Sequence, residues 1–125
     1  MQMTDGLFII ESMNDMDSGF EVELRTNPAH FIYKSHFPGN PITPGVCVVQ
    51  TAGELLERKY NRKLYLKSIR NVKFLAVIVP AEGKIIKYTF SNIVEDETGG
   101  KAQVVVSDDS TIYAKISLIF SNVQI

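Results

Sequence analysis

The stretch HFPGNPITPGVCVVQTAGE, residues 36 to 54, joins a stiff loop to the start of a helix. Three prolines and two glycines lie between His36 and Val46, so the loop is restrained and can adopt unusual backbone dihedral angles. Pro44 is followed by Gly45, where the apolar run begins. The stretch therefore predicts a fixed loop that holds His36 against the first turn of a helix.

That helix is predicted to run from Gly45 to about Tyr60. Its apolar positions recur at spacings of three and four, as on one face of a helix. They are Val48, Val49, Ala52, Leu55 and Leu56, while the other side carries Gln50, Glu54, Glu57 and Arg58. This is the one substantial helix that the sequence predicts.

Most of the remaining chain has the composition and alternation of strands. The predicted strands are Leu7 to Glu11, Phe20 to Leu24, Tyr65 to Val79, Lys84 to Ile93, Lys101 to Ser107 and Thr111 to Ser121. The first two form a hairpin candidate across the turn at residues 15–19, and residues 95–100 form a loop between strands. One helix cannot cover both faces of such a sheet, so we expect the sheet to curl around it and to carry polar side chains or a partner outside.

Length and composition limit the possible classes of protein. At 125 residues the chain is expected to form a single domain, residues 1–125, with a real core. A net charge of -1 gives no indication of a nucleic-acid or membrane partner. The start of the chain lacks the pattern of a signal peptide, and the longest apolar run, residues 75–81, is too short to cross a bilayer. Cys47 is the lone cysteine, so the chain can form no internal disulfide and no cysteine metal cluster, which fits a cytoplasmic protein. We also expect no metal and no cofactor.

Residues 36–46, His-Phe-Pro-Gly-Asn-Pro-Ile-Thr-Pro-Gly-Val, resemble the signature of the (3R)-hydroxyacyl-acyl-carrier-protein dehydratases. In that family a histidine is followed by Phe-Pro-Gly, then by Pro, then by Pro-Gly-Val and the central helix. Residues 72–74 and 79–83 also resemble the family's basic-Phe strand and the turn beyond it. The resemblance covers roughly Leu7 to Ser121. It implies an α+β hotdog fold, in which a long, curved antiparallel sheet wraps around one central helix.

The resemblance also implies a reaction. The family dehydrates 3-hydroxyacyl thioesters, carried on acyl carrier protein or coenzyme A, in the biosynthesis of fatty acids or related acyl chains. His36 would be the base that removes the proton beside the thioester carbonyl. A carboxylic acid on the first turns of the helix, from the other subunit of a dimer, would protonate the departing 3-hydroxyl.

The start of the helix suits the substrate carbonyl for physical reasons as well. Backbone N–H groups and the positive end of the helix dipole at Gly45 can polarise a thioester carbonyl as it becomes an enolate. Gly45 has no side chain to keep that oxygen away. We expect Gly45, Phe37 and Val46 to contact the substrate.

The expected acid is missing from its usual position. Aligned on Pro44-Gly45-Val46, the family's catalytic Glu or Asp corresponds to Gln50, which can orient a hydroxyl but cannot release a proton. One turn later stands Glu54, where the family often has a glutamine. One hypothesis is that Glu54 supplies the acid, through Gln50 or a water. The alternative is that Glu54 belongs to a solvated or interface face and does no chemistry.

Other functions stay open. Hotdog proteins also hydrolyse thioesters, typically with a carboxylate that activates water, and Glu54 is the candidate for that role. A third possibility is an acyl-binding subunit, or a partner that completes one active site by pairing with an intact paralogue. A homodimer or higher homo-oligomer is the expected assembly otherwise.

Several further residues have two readings. His30 is favoured as a structural turn residue and Cys47 as a buried core thiol rather than a nucleophile. Phe74, Ile78 and Val79 fit either an acyl channel or the sheet core. Basic residues at 58, 59, 62, 63, 67, 70 and 73 are either a solvated face or a docking surface for an acidic carrier protein.

Overall fold

Six antiparallel strands form one sheet in the computed structural model, which describes residues 2–35 and 39–122. The strands are β1 (Phe8–Met16), β2 (Gly19–Thr26), β3 (Tyr65–Phe74), β4 (Ile85–Glu95), β5 (Gly99–Ser107) and β6 (Ile112–Ser121). The helices are a short 3₁₀ helix (Met3–Asp5), α1 (Ile32–Ser35) and α2 (Gly45–Tyr60). The strand order β1-β2-β4-β5-β6-β3 leaves β1 and β3 at the edges of the sheet. The α+β hotdog prediction is confirmed.

Helix α2 has the bounds that the sequence predicts. Pro44 precedes it in an extended conformation, and Asn61 ends it in the left-handed region with φ 52°. Ala52 and Leu55 are fully buried against the sheet. Tyr88, also fully buried, donates from its hydroxyl to the Val48 carbonyl oxygen at 2.9 Å, which fastens β4 to the helix.

Strand β2 shows how the sheet separates its two faces. Its side chains alternate strictly, as the pleat requires. Phe20, Val22 and Leu24 are buried under the helix, while Glu21, Glu23 and Arg25 point outward. The outer face of this strand is therefore covered by polar side chains, one of the two solutions that the sequence allowed.

The predicted strand Tyr65 to Val79 is too long. β3 ends at Phe74, and the next backbone N–H groups, of Leu75 and Ala76, donate to the Tyr113 carbonyl oxygen at 2.8 and 3.3 Å. Ile78 then turns into the core, 2% exposed, and its carbonyl oxygen accepts the N–H of Thr43 at 2.8 Å. Residues 75–79 thus leave the sheet to support the loop that precedes α2.

Other boundaries also differ from the prediction. β1 extends five residues past Glu11, to Met16, so the hairpin turn is tighter than predicted. β5 begins at Gly99, inside the predicted loop 95–100. The 3₁₀ helix and α1 are absent from the prediction because neither is long enough to show a helical period. Among the described residues, no helix is both long and apolar enough to cross a membrane.

Candidate active site

A groove of about 710 Å³ lies between α2 and β3. The helix contributes Gly45, Gln50 and Glu54 to its wall, and β3 contributes apolar side chains from Leu66 to Phe74. The two elements run in opposite directions, since Phe74 at the end of β3 lies beside Gly45 at the start of α2. The groove therefore extends along the helix from the turn where the sequence predicts substrate binding.

The start of α2 is closely covered by an aromatic ring. A Cβ atom on Gly45 would lie 2.8 Å from Cζ of Phe74, so only glycine allows this approach. Phe74 is about half exposed, and Val46 beside it is 73% exposed. An acyl group that reaches the first turn of α2 must therefore share this space with the Phe74 ring. Of the two readings of Phe74, the structure supports the groove wall.

Gln50 and Glu54 are brought together on the groove side of α2. The Gln50 amide donates from Nε2 to Glu54 Oε2 at 3.1 Å. The pair is spaced by one helical turn, which places their side chains next to each other. The two residues that the sequence singled out around the missing acid thus form one hydrogen-bonded unit.

The Glu54 carboxylate also accepts hydrogen bonds from the N-terminal segment. It accepts the backbone N–H of Met3 at 2.8 Å, and both the N–H and the hydroxyl of Thr4 at 3.0 Å. Glu54 is only 7% exposed and Met3 only 4%. The view of Glu54 as part of a solvated face is therefore wrong, because the N-terminal 3₁₀ helix covers it.

Sequence reasoning missed Met3 and Thr4 as neighbours of the site. They lie about fifty residues from Glu54 along the chain, and the stretch MTDG resembles an ordinary polar start. The one available signal was a glutamate on a helix face that is otherwise close to the core positions. A charged residue there needs partners, and backbone N–H groups from elsewhere can supply them.

His36 and Phe37 lie outside the described residues, so their predicted roles stay predictions. The chain on either side of them is fastened by a buried hydrogen bond, 2.9 Å long, between the hydroxyls of Tyr33 and Thr43. Burial raises the pKa of Tyr33, while the bond to Thr43 acts in the opposite direction. This bond ties α1 to the approach to α2 from both ends of the predicted catalytic loop.

The remaining candidates have structural roles. His30 accepts the Ile32 N–H at Nδ1, 3.1 Å away, as expected of a turn residue. Cys47 is buried, and its burial, followed by the charge of Glu54, raises the pKa of the thiol. The burial of Cys47 agrees with the prediction of a core thiol, and a raised thiol pKa disfavours the nucleophilic thiolate. The described residues hold no group of three or more His, Cys, Asp or Glu placed to bind a metal ion.

The basic residues separate into two sets. Lys59, Arg62 and Lys63, at the end of α2 and beyond, form ion pairs with Asp15, Glu95 and Glu57. Lys67, Arg70 and Lys73 are exposed along β3 and, within the described part of the chain, form no ion pair. Arg58, also exposed, forms no ion pair within the described part of the chain and donates to the Thr4 hydroxyl at 3.4 Å, so within this group the exposed cations without an ion pair are Arg58 on α2 and the three along β3.

Comparison with known proteins identifies similar sequences and folds. The family described as ApeI-like, ApeI dehydratase, matches residues 12–111. The 3-hydroxyacyl-[acyl-carrier-protein] dehydratase FabZ of Brucella abortus (strain S19) is 32% identical over 127 residues, covering 91% of this chain and 79% of the relative. For several other bacterial dehydratases of that name, the match spans 66 to 68% of the relative's own length.

Solved structures of other proteins share the fold. The dehydratase heterocomplex ApeI:P from Xenorhabdus doucetiae superposes with a TM-score of 0.72 at 16% identity, covering 91% of this chain and 97% of that one. A mutant of the thioesterase PA1618 from Pseudomonas aeruginosa gives a TM-score of 0.64 at 12% identity, covering 91% and 79%. At such identities the likeness concerns the fold alone.

Proposed function

Because the chain belongs to the ApeI-like dehydratase family, we propose that it dehydrates 3-hydroxyacyl thioesters to trans-2-enoyl thioesters. The observation that carries the proposal is the apolar groove that holds the first turn of α2 together with the Gln50–Glu54 pair. The thioester carbonyl would meet the Gly45 N–H, and the acyl chain would continue along β3. The pathway would be the synthesis of fatty acids or related acyl chains in the cytoplasm.

In the proposed reaction the protein takes one proton from the substrate and gives one proton to the leaving hydroxyl. His36 removes a proton from C2, the carbon between the thioester carbonyl and C3. The Gly45 N–H stabilises the enolate oxygen that forms. Cleavage of the C3–O bond then releases the hydroxyl, which leaves as water after it accepts a proton. Gln50 cannot give that proton, so we assign it to Glu54, acting through Gln50 or a water. Phe37 and Val46 would flank the reacting end of the acyl group.

Replacing His36 with alanine tests the proposed base. We expect the variant to lose on the order of 10² to 10⁴ in the rate of enoyl formation, since general base catalysis contributes about that much. The rate is followed by the absorbance of the conjugated enoyl thioester. His30→Ala is the matched control and should retain the wild-type rate. A fully active His36→Ala variant would remove this histidine from the mechanism.

We propose that the active unit is a dimer joined through β3. Within the described part of the chain, this ten-residue strand pairs with β6 alone, so its other edge has no strand against it. Its exposed apolar side chains include Leu66 and Ile69, which are 45% and 42% exposed. A long edge strand leaves backbone N–H and C=O groups unpaired, and these side chains leave apolar surface exposed. A second copy of the chain would supply both a pairing strand and an apolar surface.

An Ile69→Asp variant is expected to weaken the dimer on the order of 10²-fold, because a carboxylate would have to be buried in an apolar contact. Sedimentation velocity over a concentration series measures this change. Val94→Asp is the control, since Val94 is 57% exposed on β4, away from the edge. If Ile69→Asp dimerises like the wild type, the β3 interface is wrong.

The proposed carrier is acyl carrier protein or coenzyme A. Lys67, Arg70 and Lys73 give β3 exposed positive charge on the strand that also forms one wall of the groove. An acidic carrier protein and the phosphates of coenzyme A are both complementary to such charge, and charge complementarity acts mainly on the rate of encounter. No nucleic-acid or membrane partner is part of the proposal.

A second candidate function is a partner subunit with an impaired site of its own. It is favoured by Gln50 at the acid's position and by the donors that surround the Glu54 carboxylate. Such a chain would contribute His36 to a heterodimer with an intact paralogue, which supplies the acid. Purification from the native host followed by mass spectrometry tests this idea. Recovery of this chain alone would argue against it.

Thioester hydrolysis is the remaining enzymatic candidate. It is favoured by the carboxylate of Glu54 in the groove, since a carboxylate can activate water. However, the family whose model matches residues 12–111 is described as a dehydratase. We therefore place hydrolysis behind dehydration.

A further inference from the structure

A second cavity, of about 480 Å³, lies on the outer face of the sheet, which is turned away from α2. Residues of β3, β4, β5 and β6 line it. Asn71, Ser117 and Gln103 form one row across the cavity, because Ser117 is the register partner of both other residues. The side chains of this row are exposed or half-buried, whereas Ile116 and Leu118 on either side of Ser117 are buried. The cavity therefore belongs to a different surface from the groove of the proposed active site.

Two β-bulges border this cavity. The register of β3 against β6 shifts at Arg70, and the register of β4 against β5 shifts at Asn92 and Ile93. Asn92 also has a φ of 50°, in the left-handed region. Bulges redirect the side chains around them and are frequent beside functional sites. Since Arg70 and Asn92 both line the cavity, the irregular points of two separate strands border the same space.

The cavity is positively charged. Its charged lining residues are Arg70 and Lys101, and neither forms an ion pair within the described part of the chain. No lining residue is acidic, and β3, β5 and β6 contain no Asp or Glu, although the whole chain has a net charge of -1. Glu95, which follows the lining residue Val94, pairs with Arg62 at 2.6 Å. An anion in this cavity would therefore meet two cations that no carboxylate neutralises in the described structure.

We propose that this cavity binds a small phosphate-bearing molecule, with the phosphate over Ser117 between Arg70 and Lys101. The two cations lie on β3 and β5, which are two strands and thus about 10 Å apart. Ser117 on the intervening β6 has a short side chain, so both long cationic side chains can reach an anion above it. The Arg70 guanidinium suits two oxygens of a phosphate, and the Ser117 hydroxyl can donate to a third.

The rest of the cavity suits a small ligand. Beside the proposed phosphate position, the Asn92 amide donates to Gln103 Oε1, and the exposed side chain of Val94 offers an apolar contact. A concave space of this volume is typical of small-molecule sites, whereas an acidic protein could bind the same charges on a flat surface. The inference is independent of the proposed dehydration, because the site lies on the other face of the sheet.

Titration calorimetry at constant ionic strength tests the inference with inorganic phosphate, adenosine monophosphate (AMP) and adenosine. Phosphate and AMP are expected to bind, and adenosine is not. Tighter binding of AMP would indicate a nucleotide as the ligand and equal binding a free phosphate, and both results support the site. Arg70→Gln and Lys101→Gln should each weaken binding about 10- to 100-fold, the effect of losing one hydrogen bond to a charged group. Ser117→Leu keeps every charge but fills the floor of the cavity, so it should abolish binding.

Lys115→Gln is the matched control. Lys115 is exposed on the same face of β6 but does not line the cavity, so the variant loses an equal charge at the wrong place. Its affinity for phosphate should stay within about twofold of the wild type. A wild type that binds neither phosphate nor AMP would overturn the inference. Equal losses in Lys115→Gln and Arg70→Gln would also overturn it, because the ligand would then respond only to overall charge. Binding of adenosine as tight as that of AMP would contradict a phosphate site. If Ser117→Leu does not fold, the substitutions of the exposed Arg70 and Lys101 still decide the outcome.

Discussion

A Gln50→Glu variant is expected to dehydrate 3-hydroxyacyl thioesters on the order of 10² faster than the wild type. The substitution places a carboxyl at the position where the alignment on Pro44-Gly45-Val46 predicts the family's acid. It also puts two carboxyls within hydrogen-bond reach, because Gln50 and Glu54 lie 3.1 Å apart. Two such groups cannot both ionise easily, so one keeps a proton at neutral pH and can give it to the leaving hydroxyl.

The measurement is the initial rate of enoyl formation at saturating substrate. Gln50→Leu serves as the control for the loss of the amide and should be no faster than the wild type. A double variant, Gln50→Glu with Glu54→Gln, gives the order that the sequence comparison predicts for the family and should be active as well. An unaltered rate in a folded Gln50→Glu protein would mean that the residue at this position does not limit the reaction.

Replacing Glu54 with glutamine is the second change with a large expected effect. If Glu54 supplies the proton, the rate should fall on the order of 10² to 10⁴, because an amide cannot release one. Hydration of a crotonyl thioester, the reverse reaction, gives a convenient assay. The volume of the side chain hardly changes, so the groove itself should keep its shape.

A loss of activity in Glu54→Gln has to be distinguished from unfolding of the protein. The amide of this variant keeps one oxygen to accept one of the two N–H groups but turns its NH₂ toward the other, that of Met3 or Thr4, and an N–H left unsatisfied costs about 1–3 kcal/mol. Thermal unfolding therefore accompanies the assay. Thr4→Val is the comparison, since it weakens the same contact without removing the carboxylate. Equal activity of Glu54→Gln and the wild type would eliminate the relocated acid.

Much of the fold could be predicted because its local signals agree with its packing. The Pro44-Gly45 step and the spacing of Val48, Ala52 and Leu55 define one helix with a single buried side, and α2 has these bounds. The alternation in β2 likewise gives both the strand and its inner face. At these positions the spacing of the apolar residues is compatible with one type of element and one buried face.

After β3, apolar residues that resemble a strand do not belong to the sheet. Residues 75–79 are as apolar as a buried strand, yet the chain leaves the sheet after Phe74 so that Ile78 can support the loop at Thr43. That choice depends on a hydrogen bond between segments about 35 residues apart, which no local pattern contains. β-propensity therefore could not give the end of β3.

The candidate site divides in the same way. The sequence predicts that Gln50 and Glu54 share one side of a helix, and both line the groove, together with Gly45. The partners of Glu54 could not be predicted, because Met3 and Thr4 reach it through the tertiary fold. Glu54 thus proves to be buried and hydrogen-bonded to Met3 and Thr4.

Product analysis of the wild-type protein tests the proposed function most directly. The protein is incubated with a 3-hydroxyacyl thioester while enoyl absorbance and free thiol are followed together. We expect enoyl absorbance to rise to the hydration equilibrium without release of thiol. Release of free thiol without any enoyl product, in a protein whose His36→Ala variant behaves identically, would contradict dehydration at this site.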